Sequence, residues 1–232
     1  MKGRHWPLED LVLLGDGRGG FQPAYPLGGP PDRSYSGVLA DLDRDGDLDV
    51  VVSNDEPDPK VVHLDDGNGR FVVGSTFGQG EWSTRHVSVA DLNGDALPDV
   101  VLANRHGPDP GPSYICFGIG GGRFAEDCSP LAQGSATTIT PADVNDDGLP
   151  DLVVPHRDGG QSFVYLNDGT GAFREQRAFG PPDAAIRTAE AADLDGDGVV
   201  GDLDEDGLLD IAMARSDARN MLYFGASGDA GH

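Results

Sequence analysis

Four segments of the 232-residue chain place Asp or Asn at alternate positions. They read DLDRDGDLD, DLNGDALPD, DVNDDGLPD and DLDGDGVVGDLDEDGLLD, and the acidic groups they hold are 20 of the chain's 40 Asp and Glu. The oxygen-bearing residues are Asp41, Asp43, Asp45 and Asp49; Asp91, Asn93, Asp95 and Asp99; Asp143, Asn145, Asp147 and Asp151. The fourth segment offers Asp193, Asp195 and Asp197, then Asp202, Asp204, Asp206 and Asp210. Oxygen donors at alternate positions, with Gly at the sixth to permit a tight turn, suit a hard cation such as Ca²⁺, which takes about six to eight oxygens. A backbone carbonyl from the seventh position would add to the set. Mg²⁺ fits less well because it prefers a smaller octahedral shell that keeps water, and no Cys/His cluster is present to attract zinc. Without a counter-ion, three or four carboxylates within a few ångströms repel strongly. The metal is therefore expected to be a folding component.

Two departures from the pattern matter. Ala96 stands at the sixth position of the second segment, where a left-handed backbone is costly for a residue with Cβ, so a weaker site or a variant turn is expected there. The fourth segment is doubled. Its second half runs directly into DIAMA like an ordinary copy, and its first half is a nine-residue insertion. Asp204 is the twelfth position counted from Asp193 as the first, a spacing that resembles an EF-hand or dockerin loop. Either the insertion holds its own ion, sharing Asp202 or Asp204, or it is a slipped duplication and the region binds one. About four Ca²⁺ are expected, or five in the first case.

The elements that must position these loops follow from the repeat. Starts at Ala40, Ala90, Ala142 and Ala192 lie 50, 52 and 50 residues apart. A second motif recurs in phase: LVLLGDGRGGF, VVHLDDGNGRF, YICFGIGGGRF and FVYLNDGTGAF, ending at Phe21, Phe71, Phe124 and Phe173, with a degenerate copy MLYFGASGDAG. Short β-branched runs such as VVVSN, VVLAN and LVVPH read as buried strands. Each unit thus predicts strand, acidic loop, strand, turn, strand, Gly-rich hairpin, strand, which is a four-stranded antiparallel propeller blade. The fold class is all-β: a β-propeller of about four blade-equivalents in a single domain over residues 1–232, with repeats starting near 36, 86, 138 and 188. Three units are complete, with two strands of a blade before them and three after. If the ends pair, a small ring closes with one redundant strand. The alternative is an arc or a fragment of a larger ring, whose open edges invite self-association.

Loop and hairpin together resemble the FG-GAP/VCBS family of calcium-binding β-propeller repeats, also seen in integrin α chains. The resemblance spans nearly the whole chain. It implies one Ca²⁺ per acidic loop, between the first and second strands of a blade, with the Asp and Asn residues above as ligands.

Composition narrows the partners. A formal charge of −24 makes nucleic acid a poor partner, and no stretch is long enough to insert in a membrane. Apolar content of 38% and regular strand runs argue against disorder. No secretory signal is recognisable in MKGRHWPLEDLVLLGDG, while calcium dependence points to an extracellular, cell-surface or periplasmic setting. Cys116 and Cys128 flank a Gly-rich turn and are either a disulfide across a hairpin or two free thiols.

If the acidic loops lie at one end of the blades, the other turns and linkers lie at the opposite end. These carry Trp82, Arg85, His86, Arg105, His106, His156, Arg157, Arg187 and Arg215, a composition suited to recognising sugars or acidic groups, or to ordinary solvated loops. The expected function is a non-catalytic binding or adhesion module for a glycan or an extracellular protein. A carbohydrate-active enzyme of lyase or dehydratase type is the alternative, with His106 or His156 as base beside an Arg; a structural segment of a larger surface protein is another. No nucleophile elbow, HExxH or phosphate-binding loop is present.

Overall fold

A computed structural model describes residues 6–105, 111–190, 211–215 and 221–223. Among these the chain is all-β, built from antiparallel propeller-type blades, and its order follows the repeat. A two-stranded piece, β1 (Leu11–Val12) and β2 (Tyr25–Pro26), precedes the first full blade. That blade runs β3 (Ser34–Ala40), β4 (Asp49–Asn54), β5 (Lys60–Asp65) and β6 (Phe71–Phe77), each strand paired with the next. The second blade comprises β7 (Thr84–Ala90), β8 (Asp99–Asn104), β9 (Pro112–Cys116) and β10 (Ser129–Gln133). The third comprises β11 (Thr140–Ala142), β12 (Asp151–Val154), β13 (Ser162–Leu166) and β14 (Glu175–Phe179). A three-stranded sheet of β15 (Ile186–Glu190), β16 (Ile211–Arg215) and β17 (Met221–Tyr223) follows.

The second strand of each full blade is the most apolar, because it is covered on both faces. Every residue of β8 and β12 is buried, and in β4 all but Val50. Fully burying one such Val or Leu contributes about 1.5–3 kcal/mol. The fourth strand lies at the blade's outer edge and needs no such run. β14 accordingly reads EQRAF and exposes Glu175, Gln176 and Arg177, charges that blunt an edge against pairing.

Register places the acidic loops. Ala40 pairs with Asp49 and Ala142 with Asp151, so each loop closes the same antiparallel ladder at the same step. The second loop residue turns inward as an anchor: Leu42 and Leu92 are buried. The chain divides into two compact units, Met1–Val89 with Leu97–Asn104 and Tyr114–Ser129, and Ala90–Ala96 with Arg105–Ser113 and Pro130–His232. In the first, Leu42, Val51, Val62, Phe77, Trp82, Val87, Val100, Leu102 and Phe124 form one cluster, with Phe77 and Phe124 rings 4.7 Å apart. In the second, Val153, Val164, Leu166, Ala184, Ile186 and Ala189 form another. Cys116 and Cys128 are joined by a disulfide, which settles the two alternatives left open by the sequence.

Candidate metal centre

The first loop brings Asp41, Asp43 and Asp49 together, with a carboxylate oxygen from each lying within 4.8 Å of the others. Among the described residues it is the one trio of potential ligands of this kind. Backbone geometry builds it. The sixth-position N–H of Gly46 donates to Asp41 Oδ2 at 3.2 Å, and Asp45 N donates to Asp43 Oδ1 at 3.2 Å. Asp47 N donates to Asp45 Oδ1 at 3.0 Å. Each short acidic side chain thus folds back on an amide two to five residues on; Asp45, a fourth expected ligand, is not part of the converging trio.

Asp49 is fully buried and clamps the loop to the blade: Oδ2 accepts Leu42 N at 3.0 Å and Oδ1 accepts Asp65 N at 2.9 Å. Two acceptors nearby have no hydrogen-bond partner in the protein, the buried Asp41 Oδ1 and Asp65 Oδ1. Orphaned carboxylate oxygens beside converging carboxylates are what a bound cation would satisfy, so this donor set fits Ca²⁺. Partial burial, and then the neighbouring Asp49 and Asp45 charges, hold the Asp43 carboxyl above the usual carboxylate range. Asp47 is raised as well, by desolvation first and then by Asp45, Asp65, Asp41 and Asp49.

Sequence reasoning overlooked Asp47 and Asp65 as members of this cluster. The signal was the in-phase hairpin. A Cβ on Gly67 would sit 2.7 Å from Asp47 Oδ2, so the hairpin glycine is what lets the acidic loop pack against it.

The other two described loops repeat the turn. Ala96 N donates to Asp91 Oδ2 at 2.9 Å and Gly148 N to Asp143 Oδ2 at 2.8 Å, matching Gly46. Ala96 adopts φ 65°, so the second loop keeps the common turn with an alanine in the left-handed region. The fourth position is left-handed too, at Arg44 (φ 68°), Gly94 (φ 76°) and Asp146 (φ 57°). The ninth-position clamp recurs. Asp151 Oδ2 accepts Val144 N at 3.2 Å and Oδ1 accepts Asn167 N at 2.7 Å, while Asp99 Oδ1 accepts Gly118 N at 2.8 Å. Burial raises the Asp151 carboxyl against the lowering effect of those amides.

The loops differ at position three. Asn93 Nδ2 donates to Asp95 Oδ2 at 3.1 Å and Asn145 Nδ2 to Asp147 Oδ2 at 2.9 Å, so an amide caps a carboxylate where the first loop has Asp43 beside Asp45. Asp193, Asp195, Asp197, Asp202, Asp204, Asp206, Asp210 and His106 lie outside the described residues, and Arg215 is described only as part of a strand.

The basic and aromatic residues at the opposite strand ends fall into two groups. In the first unit Trp82 is buried and stacks on Tyr114 with ring centroids 3.8 Å apart, so its ring is packing and not open surface. Arg85 lies 3.8 Å over the Tyr35 ring and 3.3 Å from Asp55 Oδ2, and His86 Nδ1 contacts Ser88 Oγ at 3.3 Å. Beneath them Lys60 is fully buried, donating Nζ to the carbonyls of Trp82 at 2.7 Å and Gln79 at 3.1 Å, and burial lowers it to about 8. In the second unit Arg105 and Arg157 flank Asp158. His156 is buried, and burial holds its imidazole below the ordinary histidine range. Arg187 is exposed, and its carbonyl accepts from Thr137 Oγ1.

Comparison with known proteins matches this architecture. The profile of the FG-GAP-like repeat matches residues 41–102, 91–154 and 143–200. Human integrin alpha-7 is 33% identical over 110 residues, covering 42% of this chain and 9% of the integrin. An Agrocybe aegerita lectin, whose structure is described as showing specific recognition of non-reducing terminal N-acetylglucosamine, superposes with a TM-score of 0.58 at 23% identity. That match covers 88% of this chain and 54% of the lectin, so it concerns the fold, and the chain spans a small fraction of the integrin and about half of the lectin.

Proposed function

The chain belongs to the FG-GAP-like repeat family, and from that premise we propose that it is a calcium-stabilised binding module for a glycan or protein ligand outside the cell. The observation that carries this is the Asp41, Asp43 and Asp49 convergence, set in a loop whose backbone geometry recurs in three successive repeats. Asp41, Asp43, Asp45 and Asp49, with Asp65 adjoining, would hold one Ca²⁺, and the Asp91, Asp143 and Asp193 loops would each hold another. The ion supplies charge neutralisation that the protein otherwise lacks, and so fixes the loop at one end of each blade.

Secretion is supported by the disulfide, a bond that persists in oxidising compartments. The lectin and integrin likenesses support a glycan or protein as the ligand class. The test is binding to immobilised glycan and extracellular-protein panels, with Ca²⁺ and with chelator. Saturable, Ca²⁺-dependent binding that leaves the ligand chemically intact is expected. No binding across both panels, or conversion of a bound saccharide, would overturn the reading.

A further inference from the structure

Asparagine is a thermolabile residue, because the main-chain nitrogen that follows it can attack its side-chain carbonyl carbon. The attack is easiest before glycine, whose missing Cβ leaves that nitrogen open. Asn68 and Asn93 are the two asparagines that precede glycine. The structure holds them differently. Asn93 is half-buried in the second acidic loop, and both its amide and the nitrogen that would attack it are engaged. Gly94 N donates to Asp91 Oδ1 at 2.8 Å, Asn93 Oδ1 accepts Asp95 N at 3.0 Å, and Asn93 Nδ2 donates to Asp95 Oδ2 at 3.1 Å.

Asn68 is exposed at the tip of the hairpin between β5 and β6. Its Nδ2 makes one hydrogen bond, to Asp66 O at 3.2 Å, and among the described residues no hydrogen bond engages Gly69 N. The turn asks nothing of the asparagine side chain. Asn68 N donates to Asp66 Oδ1 at 2.9 Å, and the same bond recurs in two other hairpins, from Arg18 N to Asp16 Oδ1 at 2.8 Å and from Thr170 N to Asp168 Oδ1 at 3.0 Å. Turn shape comes from that aspartate and from the left-handed Gly67 (φ 79°) and Gly69 (φ 73°). Through Gly67 the hairpin packs on Asp47 of the first acidic loop.

We propose that Asn68 is a self-modification site, converting to aspartate and isoaspartate in the folded protein while Asn93 is spared. Gly69 N loses its proton and bonds to Asn68 Cγ; the Cγ–Nδ2 bond breaks, ammonia leaves, and a five-membered succinimide closes. Water then opens one of the two ring carbonyls. Opening at Cγ leaves aspartate, and opening at the main-chain carbonyl leaves isoaspartate, with the chain routed through the side chain. One water is consumed and one ammonia released, with nothing oxidised or reduced. The product carries a new carboxylate beside Asp66, on the hairpin that seats the first acidic loop. Arg18, Gly121 and Thr170 stand at the equivalent position of the other full hairpin copies, so the modification marks a single blade.

The test is a time course on the full chain with Ca²⁺ in mildly alkaline buffer, read by mass spectrometry after trypsin digestion of denatured samples, with a time-zero digest as the baseline. Cleavage at Lys60 and Arg70 isolates Asn68, and cleavage at Arg85 and Arg105 isolates Asn93. The Asn68 peptide should gain the deamidation mass and split into aspartyl and isoaspartyl forms, the latter labelled by an isoaspartyl methyltransferase. It should convert about tenfold or more faster than the Asn93 peptide, whose three hydrogen bonds must open first. Unfolding in urea with chelator should bring the two rates together. On isoelectric focusing the aged wild type should gain an acidic form that Asn68→Thr, which carries the residue of the third blade's hairpin, does not. Asn68 left intact over the time in which the urea-unfolded chain converts would overturn the inference. Equal rates at Asn68 and Asn93 in the folded chain, or the same acidic form in Asn68→Thr, would overturn it too.

Discussion

The first and third acidic loops make the same turn with different electrostatics. In both, a ninth-position Asp ties the loop to the end of the third strand, and the sixth-position amide closes on the first-position carboxylate. In the third loop Asn145 caps Asp147; in the first, a carboxylate, Asp43, stands in place of that amide beside Asp45 and Asp49, and both Asp41 and Asp65 keep an unsatisfied oxygen. Turn shape is therefore set by backbone amides and the two end positions. What stands at position three decides what the fifth-position carboxylate meets, an amide donor in the third loop and a second carboxylate in the first.

Breaking the shared part should cost both loops alike. Asp49→Ala would strand the amides of Leu42 and Asp65, and Asp151→Ala those of Val144 and Asn167. Each is expected to cost about 2–4 kcal/mol in chelator, at roughly 1–3 kcal/mol for the buried donor and less for the half-buried one, read by urea denaturation. A large loss at Asp49 alone would mean that the clamp is not common to both.

The blades also differ at the start of their third strand, where Lys60 and Ser162 are both buried. Lys60 is lowered from 10.5 to about 8 in the folded chain. The unfolded chain then binds the extra proton between those values, so this residue's contribution to stability rises with pH from about 8 to 10.5 and is flat below. The change is of order 3 kcal/mol, and it should vanish in Lys60→Met. A wild-type stability curve that is flat or falling over this window, with the same profile in the variant, would refute it.

Smaller effects separate the loops. Ala96→Gly should stabilise the second loop by about 0.5–1 kcal/mol by relieving a left-handed alanine, and Arg44→Gly should do the same for the first loop. Gly94→Ala should do the opposite. Thermal melts check all three. Asp43→Asn makes the first loop like the third. It should raise the melting temperature of chelated protein while weakening Ca²⁺ binding, and a fall in the chelated melt would show that Asp43 and its neighbours do not repel.

Much of this was legible in the residues. The 50-residue spacing and the in-phase hairpin marked three full blades flanked by two strands and three, and the strand runs lie where VVVSN, VVLAN and LVVPH placed them. The ninth-position clamp was not legible, because alternation shows which residues carry oxygens and not which oxygens the backbone already occupies. The left-handed fourth position was hidden because Arg44 and Asp146 give no glycine signal. Trp82 looked like exposed recognition surface in its linker, and its partner Tyr114 is too distant in sequence for a local pattern to reveal the stack.

The central claim, that the acidic loops are built-in Ca²⁺ sites, is tested most directly by calorimetric Ca²⁺ titration of chelator-stripped protein, alone and as Asp41→Ala, with melts alongside. The account predicts about four ions bound, a large rise in melting temperature, and one ion fewer in the variant. No heat of binding and an unchanged melt would contradict it.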